Sequence, residues 1–167
     1  EINPDIIHLH NIHGYYLNYK VLFEYLATID TPIVWTLHDC WTMTGHCAHF
    51  DAIGCDKWKT GCYNCPLKRE YPKSILLDHS ARNYAIKKEL FASLKNATIV
   101  PVSNWLGSIV KESYLGNYSV NVINNGVDLD IFKPLDASRL RKKFGIGDKC
   151  ILLGVATAWH NEKGLKE

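Results

Sequence analysis

The chain has 167 residues, 47% of them hydrophobic and 22% charged, the balance of a globular protein with a real core and length for one full domain at about 100–200 residues each. Its formal net charge is only +2, which leaves no basic stripe to displace counterions from a nucleic acid backbone. No apolar run reaches the ~18–20 residues of a membrane span, no basic-then-apolar leader opens the chain, and Glu1-Ile2-Asn3-Pro4 reads as the continuation of something longer.

Ile6–His10 reads as a strand, followed by a turn at Asn11–Gly14. Tyr15–Ala27 is expected to be a helix with Leu17, Val21, Leu22, Tyr25 and Leu26 on one face. Thr31-Pro32 breaks it, and Ile33–Leu37 is nearly all apolar, as in a strand buried on both faces. Strand, helix and strand make a right-handed parallel βαβ unit. From Asp39 to about His79 the periodic pattern disappears; such a stretch inside a compact domain is usually functional or stapled. Ser80 reads as the N-cap of a helix through Lys95 that carries Tyr84, Phe91 and Leu94. Ala97–Val102 is the next strand, and Ser103 caps a short helix with Trp105, Leu106, Ile109 and Val110 turned inward. Val120–Ile123 is a further strand, Asn124-Asn125-Gly126 a turn, Arg139–Phe144 a basic helix and Cys150–Ala156 a last strand. The expected fold is therefore α/β, a Rossmann-like parallel sheet with flanking helices. Residues 1–124 are expected to be the latter part of its first domain, with a long Cys-rich insertion at 39–79. A linker follows at 125–135, and 136–167 begin a second domain.

Several residues carry chemistry. His38-Asp39 follows the strand Ile33–Leu37, and in open parallel sheets ligands bind beyond the carboxyl ends of strands. An imidazole there can hold a substrate hydroxyl or carry a proton near neutral pH. In His8-Leu9-His10-Asn11, period-two alternation puts both histidines on one side, with His10 and Asn11 expected to line the cleft while His8 packs. Five of six cysteines fall between Cys40 and Cys65. Cys62-Tyr63-Asn64-Cys65 has the form of a metal knuckle, which Cys47 and Cys55 would complete as a tetrahedral structural zinc site. His46 and His49 are spare ligands, and Cys40 stands outside the set. The spacing leaves zinc, disulfides and free thiols all open. Four thiolates leave no position for a catalytic water, so the zinc reading is structural. In the loop after the last strand, Lys163-Gly164 could lead into a phosphate-binding helix N-terminus.

Together, Leu37-His38-Asp39, Val102-Ser103-Asn104, Ile123-Asn124-Asn125-Gly126-Val127-Asp128 with Phe132, and Lys163-Gly164 resemble the family 4 glycosyltransferases in order and spacing. His38-Asp39-x-Trp41-x-x-Thr44-Gly45-x-Cys47, with Gly54-Cys55, Gly61-Cys62 and Cys65-Pro66, resembles their colanic-acid or capsular-polysaccharide subgroup. The resemblance implies a GT-B architecture: two Rossmann-like domains across a cleft, moving a sugar with retention from a nucleotide diphosphate donor to an acceptor hydroxyl. No catalytic metal is implied; cationic side chains and a helix N-terminus stabilise the leaving diphosphate.

By that resemblance His38 is the catalytic histidine beside the donor sugar, and Lys163 and Gly164 bind the diphosphate. Asn125 and Gly126 shape the cleft and hinge, while His10 and Asn11 lie on the acceptor side. The implied partners are a nucleotide-sugar and a glycan or lipid-linked acceptor, in the cytoplasm and in peripheral contact with the inner membrane. Three departures stand out. Asn124 takes the place of the family's linker proline. Ala156–His160 lacks the arginine that usually precedes Lys-Gly, and the acidic Glu-x7-Glu pair is absent. This stretch alone is therefore expected to be inactive. The rival readings are a zinc-stapled binding module and an inactive GT-B-like scaffold. Five basic against four acidic residues in 39–73 give the module no charged surface for a phosphate backbone.

Overall fold

The computed structural model describes residues 2–74 and 76–156. The residues through Asn125 form one compact unit and those from Gly126 another. Four parallel strands, β1 (Ile7–Leu9), β2 (Ile33–Leu37), β3 (Ala97–Pro101) and β4 (Ser119–Val120), lie side by side in chain order. Ile7 pairs with Ile33, Ile33 with Ala97, and Ile99 with Val120. Helices α1 (Tyr19–Leu26), α2 (Ser80–Phe91) and α3 (Asn104–Glu112) flank the sheet. This is an α/β arrangement of the Rossmann-like kind, with no reversal of strand order among the described residues. No helix among them is long and apolar enough to cross a membrane.

Each element follows from local chemistry. Strand β2 is buried except for Val34, which explains its unbroken apolar run. Helix α1 starts four residues later than the periodicity suggested, because Gly14 and Tyr15 adopt φ of 128° and 67°. Only the first of these is free of steric cost. Asn18 is the true cap, accepting from Lys20 N–H. The buried face of α1 is Phe23 and Leu26, whereas Val21 and Tyr25 are 61% and 60% exposed. The expected face was therefore rotated, since Val21 and Tyr25 share a four-residue spacing that points away from the sheet. In α2, Asp78 rather than Ser80 holds the first turn, accepting from Ser80 N–H at 2.8 Å. The helix ends at Phe91, and Leu94 is buried beyond it. Ser103 caps α3 as expected, its hydroxyl accepting from Leu106 N–H at 3.2 Å. Trp105, however, is turned outward and 52% exposed. Strand β4 is shorter than expected, but its backbone stays on β3: Asn121 donates to Ile99 and Ile123 to Pro101.

Phe91 is the hub of the core. Its ring lies 4.4 Å from Phe23, 5.0 Å from Trp35, 5.8 Å from Tyr19 and 6.1 Å from Trp41. Among the described residues of 39–79 there are three short 3-10 turns, at Trp41–Met43, Asp51–Ile53 and Lys57–Lys59. Side chains staple this stretch to α2. Tyr84 donates to Trp58 O at 2.9 Å, and Lys87 donates to Trp41 O and Thr44 O at 2.8 and 3.0 Å. Gly45 makes the close approach possible, for a Cβ there would lie 2.0 Å from Ser80 O and 2.8 Å from Cys62 Cβ.

In the second unit one short helix, α4 (Ser138–Lys143), forms as expected. The expected strand at Cys150–Ala156 does not: no ladder partner pairs with it among the described residues, and Leu152, Leu153 and Val155 are 97%, 84% and 85% exposed. An isolated extended segment leaves its backbone groups unpaired, so an apolar run alone is not sufficient for a strand.

Candidate functional site

The carboxyl ends of β1 and β2 open side by side, and the chain places a polar cluster there. His10, just past β1, and His38, just past β2, are both exposed. Their ring nitrogens Nδ1 and Nε2 are 3.1 Å apart, with one donating to the other, and the rings stack at 5.4 Å. His8, expected to pack, is instead exposed: its Nε2 bonds Thr36 Oγ1 at 2.8 Å, and its ring lies 4.3 Å from His10. The alternation had placed both histidines on one side; their side of the sheet was the open one.

A second group lies behind this pair. His13 Nε2 donates to Asp39 Oδ2 at 2.8 Å, and Asp39 Oδ1 accepts from Trp41 N–H at 2.8 Å. The other ring nitrogen of His13, Nδ1, is 3.2 Å from the Tyr71 hydroxyl. With its Nε2 proton directed at Asp39, His13 accepts from Tyr71 through Nδ1. Both members of the His13–Asp39 pair are largely shielded, at 9% and 13% side-chain exposure. Burial pushes the Asp39 carboxyl up. The hydrogen bonds from His13 and Trp41 outweigh that and hold it below its ordinary value.

These two groups share a small cavity of about 10 Å³ with Asn11, Trp35 and Thr42 in its wall. Trp35 Nε1 and Thr42 Oγ1, on two of the lining residues, are buried without a protein partner. The arrangement can therefore hold hydroxyls, and through the linked imidazoles it can hand on a proton. His13, Tyr71 and Thr42 escaped the sequence reading. His13 follows a turn rather than a strand, and Tyr71 lies 58 residues further along the chain, so neither shares a local pattern with the site.

Asn11, in the wall of the same cavity, is exposed, and its carbonyl accepts from Tyr16 OH at 2.6 Å. Other expected site residues fall elsewhere. Asn125 and Gly126 are both exposed and straddle the division between the two units. Lys163 and Gly164 lie outside the described residues. Cys47, Cys55, Cys62 and Cys65 line one cavity within 39–79, separate from the histidines, and all six cysteines are free thiols. Cys40 is buried, and burial together with the nearby Asp39 and Asp51 charges pushes its thiol up to about 12. Among the described residues no three His, Cys, Asp or Glu side chains form a ready-made metal cage.

No protein-family model matches the chain, and no solved structure matches it. One curated protein does, the "Putative colanic acid biosynthesis glycosyl transferase WcaC" of Escherichia coli strain K12, at 34% identity over 133 residues. The match covers 75% of this chain and 32% of the relative, so the chain spans about a third of that protein's length. Over most of its own length, the chain is thus similar to a segment of a colanic acid biosynthesis glycosyl transferase.

Proposed function

We propose that the chain is part of a glycosyltransferase of polysaccharide biosynthesis, of the family 4 type with a GT-B architecture. It transfers a sugar with retention from a nucleotide diphosphate donor to the hydroxyl of a glycan or lipid-linked acceptor. The observation that carries this reading is the 34% identity with the colanic acid relative. The histidine cluster beyond β1 and β2 supports it, since it lies at the edge where parallel sheets receive ligands.

In this reading His38 faces the donor sugar, while His10 and Asn11 receive the acceptor. The 3.1 Å contact to His10 orients the His38 ring and offers the acceptor's proton a path along two imidazoles. Asp39 holds His13 in a single tautomer from behind, which fixes the cavity wall. Lys163 and Gly164 take the leaving diphosphate, where a lysine charge does the work of a metal ion. Asn125 and Gly126 form the hinge between donor and acceptor halves. The reaction takes place in the cytoplasm, with the protein touching the inner membrane face where lipid-linked acceptors lie.

The test is nucleotide diphosphate release by the full-length protein over a panel of UDP-, GDP- and ADP-sugars, with His38→Ala alongside. One donor should be hydrolysed or transferred, and His38→Ala should slow it by about 10²-fold or more, the scale of a lost acid–base or positioning group. Background release with every donor and every candidate acceptor would overturn the transferase reading. Undiminished release by His38→Ala would move the reacting centre elsewhere.

A further inference from the structure

Away from the histidines, residues 39–79 surround a second cavity of about 20 Å³, room for roughly one water-sized atom. Four thiols and one imidazole share its wall: Cys47, Cys55, Cys62, Cys65 and His46. The thiols come from several turns of a stretch that has almost no backbone ladder of its own, Cys62 and Cys65 sharing one of them. A hydrogen bond joins the Cys47 and Cys65 thiols, and Cys55 and Cys62 are close enough for their charges to be felt at Cys47. Backbone N–H groups of Gly45 and Leu67 point at Cys62 and Cys65. His46 presents a buried Nε2 with no partner, and the carbonyls of Lys68 and Glu70 engage its ring.

We propose that this cavity is a structural zinc site, with Zn²⁺ held by the thiolates of Cys47, Cys55, Cys62 and Cys65 and with His46 in its wall. Three features favour an ion over a plain apolar void. N–H groups aimed at cysteine sulfurs are the outer-shell contacts that thiolate ligands need. At the knuckle, Asn64 adopts φ of 44° and Lys57 Nζ caps the carbonyls of Tyr63 and Asn64 at 3.0 and 3.2 Å. This hands the two thiols of Cys62-x-x-Cys65 to one side of the turn.

The third feature is Lys87. It is 1% exposed, and its ammonium meets only two carbonyls and the face of Trp41, at 3.3 Å from the ring centroid. No carboxylate forms an ion pair with it among the described residues. The groups able to carry negative charge that are felt at Lys87 are Cys62, Cys47 and Asp39. A tetrathiolate zinc centre carries two net negative charges, which a buried ammonium beside it would offset.

Binding replaces four S–H bonds by four Zn–S bonds and releases four protons, with no change of oxidation state. Zn–S bonds near 2.3 Å place the sulfurs about 3.8 Å apart around a tetrahedron. The thiols now line the wall without forming a cage, so the ion draws the turns of 39–79 inward by a small movement of side chains and loop.

The site is independent of the transferase reading and is tested without an activity assay. Full-length protein purified with reductant should contain about one zinc per chain by elemental analysis. After chelation, cobalt(II) should restore a thiolate-to-metal charge-transfer band with tetrahedral visible bands, and chelation alone should lower the melting temperature. Cys62→Ser and Cys65→Ser should lose the metal, while Cys150→Ser, in the other unit, should keep it. Should the first two fail to fold, the wild-type cobalt spectrum decides the matter. Reduced protein that takes up neither zinc nor cobalt overturns the proposal. So does iron in place of zinc, a cobalt spectrum without thiolate bands, or a native mass lighter by two hydrogens for each disulfide.

Discussion

The sheet and the stretch 39–79 share one core but are ordered by different means. In the sheet, backbone pairing and apolar side chains act together: Ile33, Trp35, Leu37 and Ile99 are buried on strands whose N–H and C=O groups are satisfied by their neighbours. In 39–79 the backbone is a chain of turns. Its order comes from side chains that reach across to it, such as Tyr84, Lys87 and the packed pair Phe50 and Trp58 at 5.2 Å. The first mode tolerates the loss of a polar group and suffers from the loss of volume. The second should do the reverse.

The largest expected effect lies where the two regions meet. Phe91→Ala removes the ring that four other aromatics surround and should cost about 3–5 kcal/mol in denaturant unfolding. A loss under about 1 kcal/mol would mean that the two regions do not share a core. Lys87→Met keeps the volume but strips the donor from Trp41 O and Thr44 O, at a cost of about 1–3 kcal/mol. Hydrogen exchange should then quicken in 39–79 before it does in β2 and β3. Equal acceleration in both regions would erase the distinction between them.

The smallest effect depends on pH. The Asp39 carboxyl is held below its ordinary value in the folded protein, so the stability it adds is fully present above the unfolded pKa of about 3.9 and is lost as pH falls through the depressed folded value. Asp39→Asn should cost about 1 kcal/mol at neutral pH, the difference between a charged and a neutral hydrogen-bond acceptor. The gap between variant and wild type should close at strongly acid pH. A gap that stays constant with pH would mean that Asp39 acts through shape alone.

Much of the architecture was legible in the residues themselves. Strand β2 announced itself by its apolar run and β3 by its neighbouring pattern, and the Ser103 cap lay where its spacing put it, because these signals arise within a few residues of one another. The polar cluster was half legible. His10 and His38 sit at strand ends and so declare their side of the sheet. Tyr71, the partner of His13, and Thr36, the partner of His8, are drawn in from 58 and 28 residues further along the chain, distances over which no local pattern carries information.

Four spaced cysteines and a βαβ rhythm were thus determined by sequence alone, since composition and period already restrict what each short segment can be. Which face of α1 is buried, that Lys87 lies wholly inside, and that the run Cys150–Ala156 pairs with no strand among the described residues were decided only by tertiary structure. Burial and backbone pairing belong to contacts between distant segments, and a residue's own type does not say which neighbour the fold will bring to it.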